Sequence, residues 1–224
     1  MPSLPAGLDP LAPLLGLAGL IWGVVADRIA ARWPAHKGGA VRSVDWRTPV
    51  VAVFGVVAMA AVPVRFGDPG ERLLFGVFFA ACVLLMATDL DQRLMPDVIT
   101  LPLIVLGLAG LVWGAVWGGD TLVSRSFWVT TVVGAVAVPG VLFALSLPFG
   151  EGAFGEADVL FLVAVGLLTG LIRIVLAVFA AALVGGVVIV GLLVARRVTL
   201  RSFIPFGPFL IVGAVWAVLI PASS

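Results

Sequence analysis

The chain has 224 residues, 62% of them hydrophobic and only 11% charged, with 13 Lys and Arg against 12 Asp and Glu and a formal net charge of +1. A soluble domain sits near half apolar and a quarter charged. The composition therefore excludes a water-exposed globule, a disordered tail, a disulfide scaffold and a nucleic-acid binder with its basic patch. A lipid bilayer is the solvent that suits it.

Apolar runs of about 17–25 residues predict membrane-crossing helices. In chain order they fall near Leu11–Ala30, Thr48–Val64, Leu73–Thr88, Val98–Trp117, Phe127–Leu147, Val159–Thr169, Leu171–Ala195 and Ile204–Ala222. The expected fold is a single all-α polytopic membrane bundle over residues 1–224, with about eight transmembrane helices. The sixth run is short and only Gly170 parts it from the seventh, so seven spans stay open as an alternative. Pro139-Gly140 predicts a kink in the fifth. Small-residue steps at Gly19/Gly23, Gly110/Gly114/Gly118 and Gly166/Gly170 predict close helix approach, although glycine-rich apolar filler reads the same way.

No Lys or Arg precedes the first run, which therefore does not read as a cleavable signal. Arg28, Arg32, Lys37, Arg42 and Arg47 follow it, placing that connection inside and the N-terminus outside. With eight spans Arg93, Arg196, Arg197 and Arg201 also fall inside, against Arg65, Arg72, Arg125 and Arg173 outside. Seven spans would put the Arg196–Arg201 cluster outside, so the charges favour eight.

Single residues restrict the chemistry. Cys82 is the only cysteine, His36 the only histidine and Lys37 the only lysine. That removes an internal disulfide, a CxxC or HExxH metal site, a Ser-His-Asp triad and a P-loop. No metal or other cofactor is expected. Carboxylates remain.

Asp9, Asp68, Glu71 and Asp120 fall in outer segments and read as solvated loop residues, and Asp27 and Asp45 join the basic residues of the first inner loop, solvated or paired. The other six acids form two inner-face groups, and ionisable groups at the end of an apolar run are functional candidates. In the first, Asp89 follows Met86-Ala87-Thr88 within or just past the last helical turn, at the membrane boundary. Asp91 reads as solvated. Pro96 breaks the chain and Asp97 reads as the N-cap of the next span, with direct chemistry as the alternative.

The second group, Gly150-Glu151-Gly152-Ala153-Phe154-Gly155-Glu156-Ala157-Asp158-Val159, is a glycine-rich loop. Glu156 reads as a loop acid. Asp158 opens the sixth span, as N-cap or as catalyst. Two carboxylates at the inner ends of spans three and six can meet in a bundle and share one proton. One then serves as general base on water and the other as general acid, the arrangement of aspartic proteases.

These residues resemble those of the bacterial type IV prepilin peptidases, membrane aspartic proteases of the GxGD kind. Asp89-Leu90-Asp91-Gln92-Arg93-Leu94-Met95-Pro96-Asp97 is similar to that family's D-x-x-x-x-x-[IL]-P-D segment, and Gly155-Glu156-Ala157-Asp158-Val159 to its GxGDV segment. Ile204-Pro205-Phe206-Gly207-Pro208-Phe209-Leu210 resembles its C-terminal PFGPFL stretch, and Gly23-Val24-Val25-Ala26-Asp27-Arg28 with Trp33-Pro34 is a weaker match. The resemblance implies catalytic roles for Asp89 and Asp158, and substrate contacts at Asp97, Gly155, Glu156 and Ala157. It also implies a multi-pass protein of the inner membrane, cutting short basic leaders from prepilins or pseudopilins after a glycine on the cytoplasmic side.

Three departures stand out. Ala157 replaces the second glycine, where a Cβ penalises a positive φ. Leu160 stands where a Lys commonly follows. The first inner loop, residues 33–47, is short and free of cysteine, whereas long members carry there a tetracysteine zinc domain associated with N-methylation. Cleavage is therefore expected and methylation is not. Two other readings stay open: a catalytically impaired relative acting in pilus or secretion assembly, and a carboxylate-coupled transporter, which would place acids near mid-bilayer in matching repeats.

Overall fold

A computed structural model describes residues 9–35, 41–117, 128–149, 155–199 and 205–220. His36, Lys37, Gly118, Asp120, Arg125, Glu151 and Arg201, and the expected helix ends Phe127, Ile204 and Ala222, lie outside the described residues. Seven α-helices are found in them: α1 (Leu11–Ala30), α2 (Arg47–Arg65), α3 (Pro69–Gln92), α4 (Asp97–Trp117), α5 (Trp128–Ser146), α6 (Glu156–Val194) and α7 (Gly207–Leu219). Six are long and apolar enough to cross a membrane, and α7, with 13 residues, is shorter. The protein is a multi-pass membrane protein. It divides into two compact units, Met1–Ala87 and Thr88–Ser224, with the division inside α3.

In the first unit α1 and α2 approach at their glycines. A Cβ on Gly19 would collide with the Gly55 carbonyl, and one on Gly23 would lie 2.6 Å from the Ala52 Cα. Backbone approach of this kind needs the small residues that the sequence places there. The Trp22 Nε1–H donates to the Ala80 carbonyl of α3 at 2.8 Å. At the far end of the unit Phe66 and Phe75 stack, with ring centroids 4.3 Å apart.

Asp27 lies in the last turn of α1 and is fully buried, paired with the basic residues beside it and not solvated. Thr48 Oγ1 donates to its Oδ2 at 2.7 Å and Arg28 Nε donates at 3.0 Å. Arg42 pairs with Oδ1 and also with Asp45, the latter at 2.6 Å. A buried carboxylate needs such partners on both oxygens, and here they fasten the start of α2 and the Arg42 segment to the end of α1.

In the second unit α6 is the helix on which α4, α5 and α7 pack. At 39 residues it would extend about 58 Å if straight, roughly twice a hydrocarbon core. It does not run straight. Gly170 has φ 77° and ψ 175°, a region entered almost only by glycine.

The packing of α7 shows the result. Phe209 lies against Gly185, Gly213 against Ala177 and Ala181, and Arg173 donates to the carbonyls of Ala217 and Ile220, each at 2.7 Å. The later limb of α6 (171–194, α6b) therefore runs antiparallel to α7. The earlier limb (156–169, α6a) starts at the end of the unit where α7 starts, because Asp158 acts electrostatically on Asp89 and Asp89 abuts Gly207. The chain thus turns back at Gly170. The sixth and seventh expected spans are these two limbs, two helical segments that meet at the non-helical Gly170.

Close approach again follows glycine. Gly166 meets Ala135 of α5, and Gly134 meets Gly170 and Leu171. Gly107 of α4, not singled out by spacing, faces Ala164 and Leu167. Helix α5 continues unbroken through Pro139.

Candidate active site

The carboxylates at the end of α3 and the start of α6 both belong to the second unit. Helix α3 does not stop where its apolar run stops; it continues to Gln92, so Asp89 sits in its last turn. From Leu85 to Asp89 every residue is buried, and Asp89 itself is 6% exposed. The Arg93 N–H donates to the Asp89 carbonyl at 2.9 Å, and Arg93 ends the helix in the left-handed region at φ 57°, uncommon for a side chain of this size. Among the described residues, Asp89 Oδ2 has no hydrogen-bond partner. The charges that act on this carboxyl are those of Asp158 and Arg93.

Asp158 is not the N-cap expected from sequence. The helix begins earlier: Gly155 is the N-cap, in extended conformation, and Asp158 is the third helical residue. Its Oδ2 accepts the Gly155 N–H at 3.2 Å. This is the backward half of a capping box; glycine has no side chain to return the bond. The contact fixes the Asp158 carboxyl over the first turn of α6, where the helix dipole favours an anion.

Ala157 lies in the same turn with ordinary helical backbone, so its Cβ carries none of the penalty expected for a positive φ. Glu156 is exposed as the first residue of α6. Asp97 is likewise the first residue of α4 rather than its cap. The Ile99 and Thr100 N–H groups bond to the Pro96 carbonyl, which makes Pro96 the capping position. The Asp97 side chain is exposed and Asp91 is half-buried.

Helices α3 and α6a thus bring Asp89 within electrostatic range of Asp158. Two neighbours were not anticipated from residue type. Gly207, first residue of α7, presents its Cα face to Asp89: a Cβ there would lie 2.5 Å from Oδ2 and 2.5 Å from the Met95 Cε. The signal available in sequence was the stretch Pro205-Phe206-Gly207-Pro208, a helix start with proline in its first turn. Among the described residues no group of three or more His, Cys, Asp or Glu is placed to hold a metal ion. A buried carboxyl with an oxygen unpartnered among the described residues, within electrostatic range of a second, oriented carboxyl, is suited to moving protons to and from a bound reactant.

The chain is similar to known proteins. The type IV leader peptidase family matches residues 76–192, just over half of the chain. A prepilin leader peptidase/N-methyltransferase of Aeromonas salmonicida is 32% identical over 216 residues, 96% of this chain and 66% of the relative. The protein of the same name from Aeromonas hydrophila is 31% identical, over 96% and 67%. That from Burkholderia pseudomallei is 30% identical over 176 residues, 75% and 54%. The chain spans about two thirds of the length of the Aeromonas relatives. No solved structure gives a significant match.

Proposed function

The chain belongs to the type IV leader peptidase family, and from that premise we propose that it is a membrane aspartic endopeptidase acting as one unit over its whole length. Its substrates are prepilin-like proteins with short basic leaders. Asp89 and Asp158 are its catalytic pair, with Asp97, Gly155, Glu156 and Ala157 in the binding surface around them.

One carboxylate takes a proton from water as the water oxygen attacks the scissile carbonyl carbon. The other gives its proton to the carbonyl oxygen. As the C–N bond breaks, the proton taken from water passes to the leaving nitrogen and one hydroxyl of the tetrahedral diol returns its proton to the other carboxylate, so the pair ends with one shared proton. The observation that carries this reading is Asp89 Oδ2, buried and without a hydrogen-bond partner among the described residues, within electrostatic range of Asp158. A buried polar atom left open in this way is suited to a transient reactant.

Asp89→Asn and Asp158→Asn, made separately and reconstituted, should each lower cleavage of a prepilin by at least roughly 10²- to 10⁴-fold. Normal processing by either variant would overturn the pair. The cut product is expected to carry an unmethylated N-terminus, read by mass, since the 33–47 loop has no cysteine. The site faces the cytoplasmic side of the inner membrane, because the positive-inside rule puts the Arg28–Arg47 and Arg93 segments there.

A further inference from the structure

The first residue of α7 touches Asp89 in a way that only glycine permits. An ideal Cβ at Gly207 would fall 2.5 Å from Asp89 Oδ2, 2.8 Å from its Cγ and 2.5 Å from Met95 Cε. Every one of these atoms belongs to the free end of a side chain. At Gly213, one helix face further along, the obstacles are the backbone of Ala177 and Ala181 instead. Alanine at 213 must separate two helices, whereas alanine at 207 needs only to push a carboxyl and a thioether aside.

We infer that Gly207 is a positioning residue: by bringing the backbone of α7 against the Asp89 carboxyl, it fixes where the unpartnered Oδ2 is held. Two further observations support it. Asp89 is only 6% exposed, so its carboxyl has little room to move away from α7. The far end of α7 is itself tied down, its last carbonyls accepting from Arg173. A fastened helix presents Gly207 at one place.

The inference rests on the proposed catalytic pair, and its test separates the two. Gly207→Ala should accumulate and unfold at nearly the wild-type temperature in detergent. Its kcat on a prepilin should fall by about 10- to 10²-fold, the scale of an ångström's misplacement, with KM changed little. Gly186→Ala, where a Cβ meets open space, is the control and should cleave normally. Gly213→Ala should lose the folded protein.

The double variant Gly207→Ala/Met95→Ala removes the crowding from Met95 and keeps that on Asp89. It should stay impaired, and it also serves if the single variant proves unstable. Full kcat in Gly207→Ala or in the double variant, while Asp89→Asn is inactive, would overturn the inference and leave the pair standing. Failure of both Gly207 variants to fold would also overturn it, making Gly207 a packing residue. Full activity in Asp89→Asn would remove the pair and the inference together.

Discussion

A carboxylate hidden from water makes sense only through what touches it, and this chain hides two in opposite ways. Asp27 is saturated: guanidinium groups of Arg28 and Arg42 and the Thr48 hydroxyl fill both oxygens. Asp89 keeps one oxygen without a partner among the described residues. Saturation fits a fastener, and an open oxygen fits the catalytic role proposed for Asp89. Asp27→Ala should therefore destabilise the protein by about 3–5 kcal/mol, since it strands two partly buried arginines. A thermal or denaturant midpoint in detergent checks this, and an unchanged midpoint would show the cluster to be decorative. The sequence reads Asp27 as solvated or paired and Asp89 as a functional candidate, but it does not show that both are buried or which oxygens are filled. Only the contacts of Thr48 and Arg42, twenty-one and fifteen positions away, do so.

Among the elements, α6 states most clearly how hydropathy and helix geometry differ. The runs Val159–Thr169 and Leu171–Ala195 were legible as two segments, and Gly170 as their divider. The run of apolar residues says where lipid is acceptable; backbone hydrogen bonding decides where a helix ends. That difference explains α3 as well, which outruns its expected Leu73–Thr88 to cover Pro69–Gln92 and so carries Asp89 inside a helix. It explains the earlier start of α6, which makes Asp158 a third residue and not a cap. At α1 the two criteria coincide and the bounds Leu11–Ala30 agree. Gly170→Ala should cost about 1–3 kcal/mol, because no other residue enters φ 77°, ψ 175° without strain. Unfolding in detergent measures it; a neutral substitution would mean the turn tolerates a different backbone.

For the whole molecule, the multi-pass character was plain in composition, and both acidic motifs were plain in spacing. The role of Gly207 was not, since proximity of α7 to Asp89 is a property of packing. Orientation is testable because Cys82 is buried and silent to reagents. Ser43→Cys, at an exposed position of the first inner loop, should react with an impermeant thiol reagent only after permeabilisation. Labelling of intact cells would invert the topology.

One dimension of α6a and α7 bears on how such a site obtains its second reactant. Measured along their axes they reach only about 21 Å and 20 Å, against a hydrocarbon thickness near 30 Å. Acyl tails beside so short a helix tilt or compress, which would thin the hydrocarbon layer next to these helices. A thinner layer there would admit the water that the proposed cleavage consumes.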